Sequence, residues 1–121
     1  MTERVFKTKG FSAAAKKALI DDDELCNALE DVRNGQADDL GGGVWKKRLN
    51  NNRHRSIILA KGRFYWIYQF VFAKQTQSNI SKQELLAFRK LAKVYEKISC
   101  HHVQMLLDRR ELTEICHAKE N

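Results

Sequence analysis

The chain has 121 residues, with 22 Lys and Arg against 15 Asp and Glu, for a formal charge of +7. That length suits one domain with a single sizeable core, and residues 1–121 are read as one unit. No stretch approaches the roughly 18 apolar residues of a membrane span, and the N-terminus lacks a signal peptide's apolar segment, so no membrane partner is expected. The three cysteines, Cys26, Cys100 and Cys116, are odd in number and widely spaced. They are expected to be reduced thiols of a cytoplasmic protein. The chain has no proline and no Ser/Gly-rich linker that would mark a domain boundary.

In chain order, residues 5–7 predict a short strand and residues 11–20, rich in Ala and Lys, a helix. Asp21 with Glu24 forms a capping-box pattern. Leu25, Ala28, Leu29 and Val32 follow at i, i+3, i+4 and i+7, one apolar helical stripe, and Asn34-Gly35 is a stop signal. Residues 44–49, 54–60 and 64–73 then read as three strands joined by two short polar turns, an antiparallel meander. The last is apolar on both faces, as in a strand near a sheet centre. Strict alternation along it puts Phe64, Trp66, Tyr68, Phe70 and Phe72 on one side. Ser81 and Glu84 repeat the capping-box pattern before a long helix with Leu85, Phe88, Leu91, Ala92, Tyr95 and Ile98 on one face. The tail, residues 100–121, is expected as a helix-strand appendage: helix over 101–108, strand over 112–116. A single helix from 101 to 117 is the competing reading. The fold class expected is α+β, with a small, mostly antiparallel sheet covered on one face by helices.

Three motifs carry little chemistry. Gly41-Gly42-Gly43 lacks the Lys-Ser/Thr and the helix of a phosphate loop and is expected as a flexible entry to the next strand. Cys100-His101-His102 and Cys116-His117 hold zinc-ligand residue types at spacings that match no common zinc site, so no metal and no cofactor is expected. Asp21-Asp22-Asp23 suits a solvated helix N-terminus.

The cations are more informative. Residues 46–74 contain eight Lys and Arg and no Asp or Glu, whereas residues 21–39 hold eight acidic residues and one Arg. With Trp45 and Leu49 as core anchors, the two-residue period of a strand sends Lys46 and Arg48 to the opposite face, and Arg55 begins the neighbouring strand. Solvated lysines and arginines snorkelling from a sheet are the plain reading of this pattern. A row of cations for a phosphate-bearing partner is the functional one, and nucleic acid is the partner it suits.

The pattern Trp45-Lys46-x-Arg48-Leu49, a short turn, then Arg55-x-Ile57-Ile58 resembles the central strands of RelE/ParE-type bacterial toxins. Within that superfamily the chain is most similar to the HigB-like RelE branch. Gly41-Gly42-Gly43-Val44-Trp45-Lys46-Lys47-Arg48, Phe70-Val71-Phe72-Ala73-Lys74, Ser78-Asn79-Ile80-Ser81, Leu106-Leu107 and Glu111-Leu112-Thr113-Glu114-Ile115 follow that branch's order along residues 4–116.

The resemblance implies a RelE-like fold and the toxin of a two-gene toxin–antitoxin module. Its partners would be a helix-turn-helix antitoxin, mRNA and the ribosome. The implied activity is a metal-independent mRNA endoribonuclease (an mRNA interferase) that cleaves translated messages and so inhibits translation in the cytoplasm. In that reaction a ribose 2′-hydroxyl attacks the adjacent phosphorus. The products are a 2′,3′-cyclic phosphate and a free 5′-hydroxyl. Position by position, Lys46 is implied as base or charge stabiliser, Arg48 and Arg55 as phosphate clamps and Lys74 as acid. Lys47, Arg53, His54 and Arg63 are the further candidate RNA contacts. The C-terminal tyrosine of many RelE toxins has no clear counterpart, and Gln75-Thr76-Gln77 occupies that region. Two alternatives share the fold: a ParE-like gyrase poison, and a non-catalytic RNA- or ribosome-binding protein.

Overall fold

The computed structural model describes residues 3–62 and 64–117. In chain order these form β1 (Arg4–Thr8), α1 (Lys9–Lys17), α2 (Asp22–Arg33), β2 (Asp38–Gly41), β3 (Val44–Leu49), β4 (His54–Lys61), β5 (Tyr65–Ala73), α3 (Lys82–Lys97), α4 (Cys100–Asp108) and β6 (Leu112–Ile115). Side-chain caps set where each helix starts, because the first backbone N–H groups of a helix have no partner within it. Thr8 Oγ1 accepts from Phe11 N at 3.1 Å, Asp21 Oδ1 from Glu24 N at 2.9 Å, and Ser99 Oγ from His102 N at 3.1 Å. Ser81 Oγ accepts from Glu84 N at 3.0 Å, and the Glu84 carboxylate accepts from Ser81 N in return. That second capping box is complete. The first is half formed, because the Glu24 carboxylate turns away to Asn50 N. Thr8 starts α1 earlier than the expected residue 11, and Leu19, at φ 59°, lies beyond its end.

The sheet order is β2-β3-β4-β5-β1-β6, with β1 parallel to β5 and every other pairing antiparallel. The α+β class and the mostly antiparallel sheet are as expected, as is β6, which covers the outer edge of β1. The layering differs. Helices cover both faces, because the sequence carries two apolar helix sets and the strands alternate between them. Phe11 and Ala15 of α1 and Leu25, Ala28, Leu29 and Val32 of α2 pack with Val5, Leu49, Ile58 and Tyr68. On the opposite face, Leu85, Phe88, Leu91 and Ala92 of α3 and Val103 of α4 pack with Phe6, Val44, Ile57, Leu59 and Ile67. Ile57 and Ile58 are both fully buried, one to each core, and truncating either to Ala costs about 2–5 kcal/mol.

β5 breaks the expected alternation. Ile57 pairs with Phe70 but Ile58 pairs with Tyr68, so Gln69 is an extra residue. Such a bulge reverses the facing of everything beyond it. Trp66 and Tyr68 therefore face α1 and α2, while Phe70 joins the α3 side. Tyr68 is completely buried, and its hydroxyl donates to Leu25 O at 2.6 Å, tying the sheet centre to α2. Burial pushes that phenol far above the ordinary tyrosine range.

The three glycines form the tight turn of a β2–β3 hairpin, a strand pair the sequence reading lacked. All have positive φ, 82°, 65° and 83°. The turn lies under Arg89 of α3, whose Nη2 donates to Leu40 O. A Cβ on Gly42 would stand 2.9 Å from Arg89 Cγ, so conformation and space both require glycine there.

The cysteine expectation is corrected for two of the three. Cys26 of α2 and Cys116, just past β6, form a disulfide across a separation of 90 residues, and Cys100 is free and exposed. No spacing rule could pair them, because β1–β6 pairing is what carries Cys116 back to α2. The same edge holds a two-point ion pair, with Arg4 Nε and Nη2 donating to Glu114 at 2.9 and 2.7 Å. Those hydrogen bonds hold the Glu114 carboxyl below the ordinary carboxylate range.

Closing so long a loop constrains the unfolded chain, so Cys116→Ser, or added dithiothreitol, lowers the unfolding free energy by about 2–4 kcal/mol. Chemical denaturation of oxidised and reduced protein measures this, and equal midpoints would contradict it. Because the folded pKa of Glu114 is depressed, its contribution is present above the unfolded value of about 4.3 and is lost as pH falls through the lower folded value. Glu114→Gln therefore removes part of the acid-side loss of stability, read from denaturation curves at neutral pH and below about pH 4.

Candidate nucleic-acid interface

β3 sorts its side chains between two environments. Trp45 and Leu49 join the α2-side core, with Trp45 edge-on to Trp66 at 6.3 Å between ring centroids. Lys47 shares that face. Its Nζ lies 3.1 Å from Asp31 of α2 and 3.2 Å from Gln36 O. Val44, Lys46 and Arg48 point the other way, toward the α3 side. Arg48 stands directly opposite Arg55 in the β3–β4 pairing, and Lys46 opposite Ile57. Arg55 in turn pairs with Phe72 of β5. Lys46, Arg48 and Arg55 thus lie on one face of adjacent strands.

The α3 layer stops short of this end of the sheet. Ile57 and Phe70 pack under α3, but the next pair outward, Arg55 and Phe72, belongs to neither core cluster. Phe72 is 5% exposed and stacks beside Phe70 at 5.8 Å between centroids. An apolar floor therefore underlies the cations.

The β3–β4 turn is stiff. Asn50, Asn51 and Asn52 all have positive φ, 56°, 53° and 70°, a conformation that asparagine tolerates better than most side chains. Asn50 N donates to Glu24, and Asn50 Nδ2 donates to Ala18 O at 3.3 Å, so the turn is fastened to the α1–α2 layer. Arg53 Nε donates to Asn50 O at 3.1 Å. Arg55 Nη1 donates to Asn52 O at 2.9 Å and to His54 O at 3.2 Å. Arg55 is only 8% exposed, so it is part of the turn's support and not an open surface group.

The structure divides the residues expected at the site. It places Lys46, Arg48 and Arg55 on one face of adjacent strands. Lys74 lies one residue past β5, where its backbone N donates to Arg53 O at 2.9 Å, beside the same strand end. Lys47 is held by Asp31 on the far face, and His54 also faces that side, with Nδ1 3.2 Å from Asn50 Nδ2. Arg53 is spent on the turn. Arg63 lies outside the described residues. The sequence reading missed Asp38, whose carboxylate is 3.6 Å from Lys46 Nζ, and Asn79, whose Oδ1 is 3.3 Å from it. Read as a regular hairpin turn, Gly41-Gly42-Gly43 would have placed Asp39 across from Lys46; the register shift between Asp39 and Gly41 puts Asp38 there instead.

Arg48 and Arg55 are like charges in direct cross-strand register, an arrangement that is unfavourable without an anion. Among the described residues neither has a carboxylate within ion-pair distance. By contrast, a cavity of about 910 Å³ between α2 and β6 is lined by five carboxylates, Glu3, Asp22, Asp23, Glu30 and Glu114, against Arg33 and His117, a net sign unsuited to phosphate. The Arg48–Arg55 face is the arrangement suited to an anion, and one phosphate could take donors from both guanidinium groups.

The family model described as the RelE toxin of the RelE / RelB toxin-antitoxin system matches residues 3–115. No curated protein and no solved structure matches the chain.

Relieving the arginine repulsion has a measurable sign. Arg48→Ala leaves the unfolding free energy unchanged or raises it by up to about 1 kcal/mol, while it weakens binding to a short RNA and flattens the salt dependence of that binding. A marked loss of stability in urea denaturation would show that Arg48 is instead a structural residue.

Proposed function

The chain belongs to the RelE toxin family, and on that premise we propose that it is the toxin of a two-gene module that cleaves mRNA at the ribosome. The reading that it belongs to the HigB-like branch is part of the same proposal. The observation that carries the activity is the Arg48–Arg55 pair, two cations in direct cross-strand register with no carboxylate partner among the described residues, on the face that also presents Lys46. Surface charge kept for solubility has no need of a like-charged pair in register above a buried phenylalanine.

The reaction needs three services: removal of the 2′-hydroxyl proton, charge stabilisation at the five-coordinate phosphorus, and a proton for the departing 5′-oxygen. Arg48 reaches solvent and clamps the phosphate. Arg55 stabilises it from below, with Nη1 held by Asn52 O and His54 O and no acceptor for its other nitrogens among the described residues. Lys46 supplies the base or a further positive charge. Lys74, at the strand end, is the remaining candidate for the acid. The message would lie across the ends of β3, β4 and β5, with its scissile phosphate over the arginines. The ribosome's part is to hold the strand so that the 2′-oxygen is in line with the leaving oxygen.

The natural partner is an antitoxin that silences this face, and the setting is the cytoplasm, where translating ribosomes are found. There the Cys26–Cys116 bond would be open to thiol reductants. Among the described residues no helix is long and apolar enough to cross a membrane.

Expression of the chain without an antitoxin is expected to arrest bacterial growth. Lys46→Ala with Arg48→Ala relieves the arrest while the purified variant stays folded, with an unfolding midpoint at or above that of the wild type. Arg55→Ala is a poorer probe, because losing the donor to two turn carbonyls costs about 1–3 kcal/mol of stability by itself. Primer extension on translated messages should map cuts inside codons, with 2′,3′-cyclic phosphate ends. Intact messages alongside stalled replication would move the chain to the gyrase-poisoning reading.

A further inference from the structure

Lys46 is held from two sides, as Lys47 is on the far face, but its contacts lie on the face shared with Arg48 and Arg55. An ammonium has three N–H donors on a flexible stem and ordinarily samples many positions. Here its Nζ lies 3.3 Å from Asn79 Oδ1 and 3.6 Å from Asp38 Oδ2. The Lys46 side chain is 19% exposed although its strand lies near an edge of the sheet. Asp38 is its cross-strand partner in the β2–β3 hairpin. Asn79 comes from the opposite direction, in the segment that leads into α3.

That segment is fastened by its own contacts. Asn79 Oδ1 also accepts from Ile80 N at 2.9 Å, and Asn79 O accepts from Gln77 Nε2 at 3.0 Å. Ile80 packs against the α3-side core, and the Ser81–Glu84 box follows at once. With two donors facing its oxygen, the amide of Asn79 has only one sensible orientation, Oδ1 inward and NH2 outward.

We propose that Asn79 is a positioning residue for the reaction assigned above: it accepts a hydrogen bond from Lys46 Nζ while the Asp38 carboxylate attracts the ammonium from the other side, and the remaining donors face the phosphate. This rests on the nuclease reading and adds a group outside the strands to the cationic set. Its physical effect is preorganisation. An ammonium already fixed by two brackets loses little conformational freedom when the message arrives, and it contributes where charge develops on phosphorus. The prediction is thus a loss in kcat with little change in KM, because the positioned donor acts on the transition state and not on docking of the ribosome complex.

The test is a double-mutant cycle on the full chain, scored by cleavage of a defined message on translating ribosomes. Asn79→Ala should lower kcat by about ten- to a hundredfold at near-constant KM. Asn79→Asp, which retains Oδ1 for both Lys46 and Ile80 N, should restore most of it. Asn79→Ala combined with Lys46→Ala should cleave no more slowly than Lys46→Ala alone, since Asn79 acts through Lys46. If the double variant is slower by the product of the two single effects, Asn79 acts by another route and the proposal is overturned. It is equally overturned if Asn79→Ala cleaves normally while Lys46→Ala is impaired, an outcome that leaves the nuclease reading standing. If Lys46→Ala itself cleaves at the wild-type rate, both the bracket and the assigned role of Lys46 fall.

Discussion

The two-residue period of β3 is the constraint on which the cationic face depends. Trp45, Lys47 and Leu49 engage the α1–α2 layer, and that engagement sets the pleat. Lys46 and Arg48 then have only the other face available. A slip of one residue would bury two cations under α2 and expose a tryptophan and a leucine, an exchange costing several kcal/mol. Lys47, which looks in the sequence like a third member of a basic run, is therefore one of the fasteners that orients the other two.

The β3–β4 turn extends the same logic. Three successive asparagines with positive φ make a turn that would be floppy in isolation. Glu24 and Ala18 O hold it from the helix side, and Arg53 and Arg55 hold it from within. Arg55 consequently fastens the turn while it stands in register with Arg48. Opposing it with Arg48 puts like charges in register, a local conflict with stability that an anion would relieve.

At the far edge, a different set of links keeps the C-terminal unit in place. β6 pairs with β1, Arg4 bridges to Glu114, and Cys116 is bonded to Cys26. α2 touches both ends of the molecule. Cys26 meets the β6 edge, while Glu24, two residues earlier, caps the turn beneath the arginines. The helix is thus a strut between the protected edge of the sheet and its cationic end.

Local chemistry, legible in the sequence, determined a good deal. Helix starts followed from Asp21 and Ser81, the long α3 from its apolar stripe, the α4–β6 tail from its change of period, and the meander from its polar turns. The separation of Lys46 and Arg48 from Trp45 and Leu49 was equally plain, because strand alternation is a property of neighbouring residues. The remainder depended on partners distant in the chain. The bulge at Gln69 reverses the facing of β5 only because of how β4 pairs with it. The glycine turn acquires its meaning from Arg89 of α3, and β2 from a pairing with β3 that four weakly patterned residues do not announce. The Cys26–Cys116 bond requires β6 to lie beside β1, and the Asn79–Lys46 contact requires the entry to α3 to cross the face of β3. Periodicity reports which way a side chain points, whereas what it meets there is decided by packing between segments tens of residues apart.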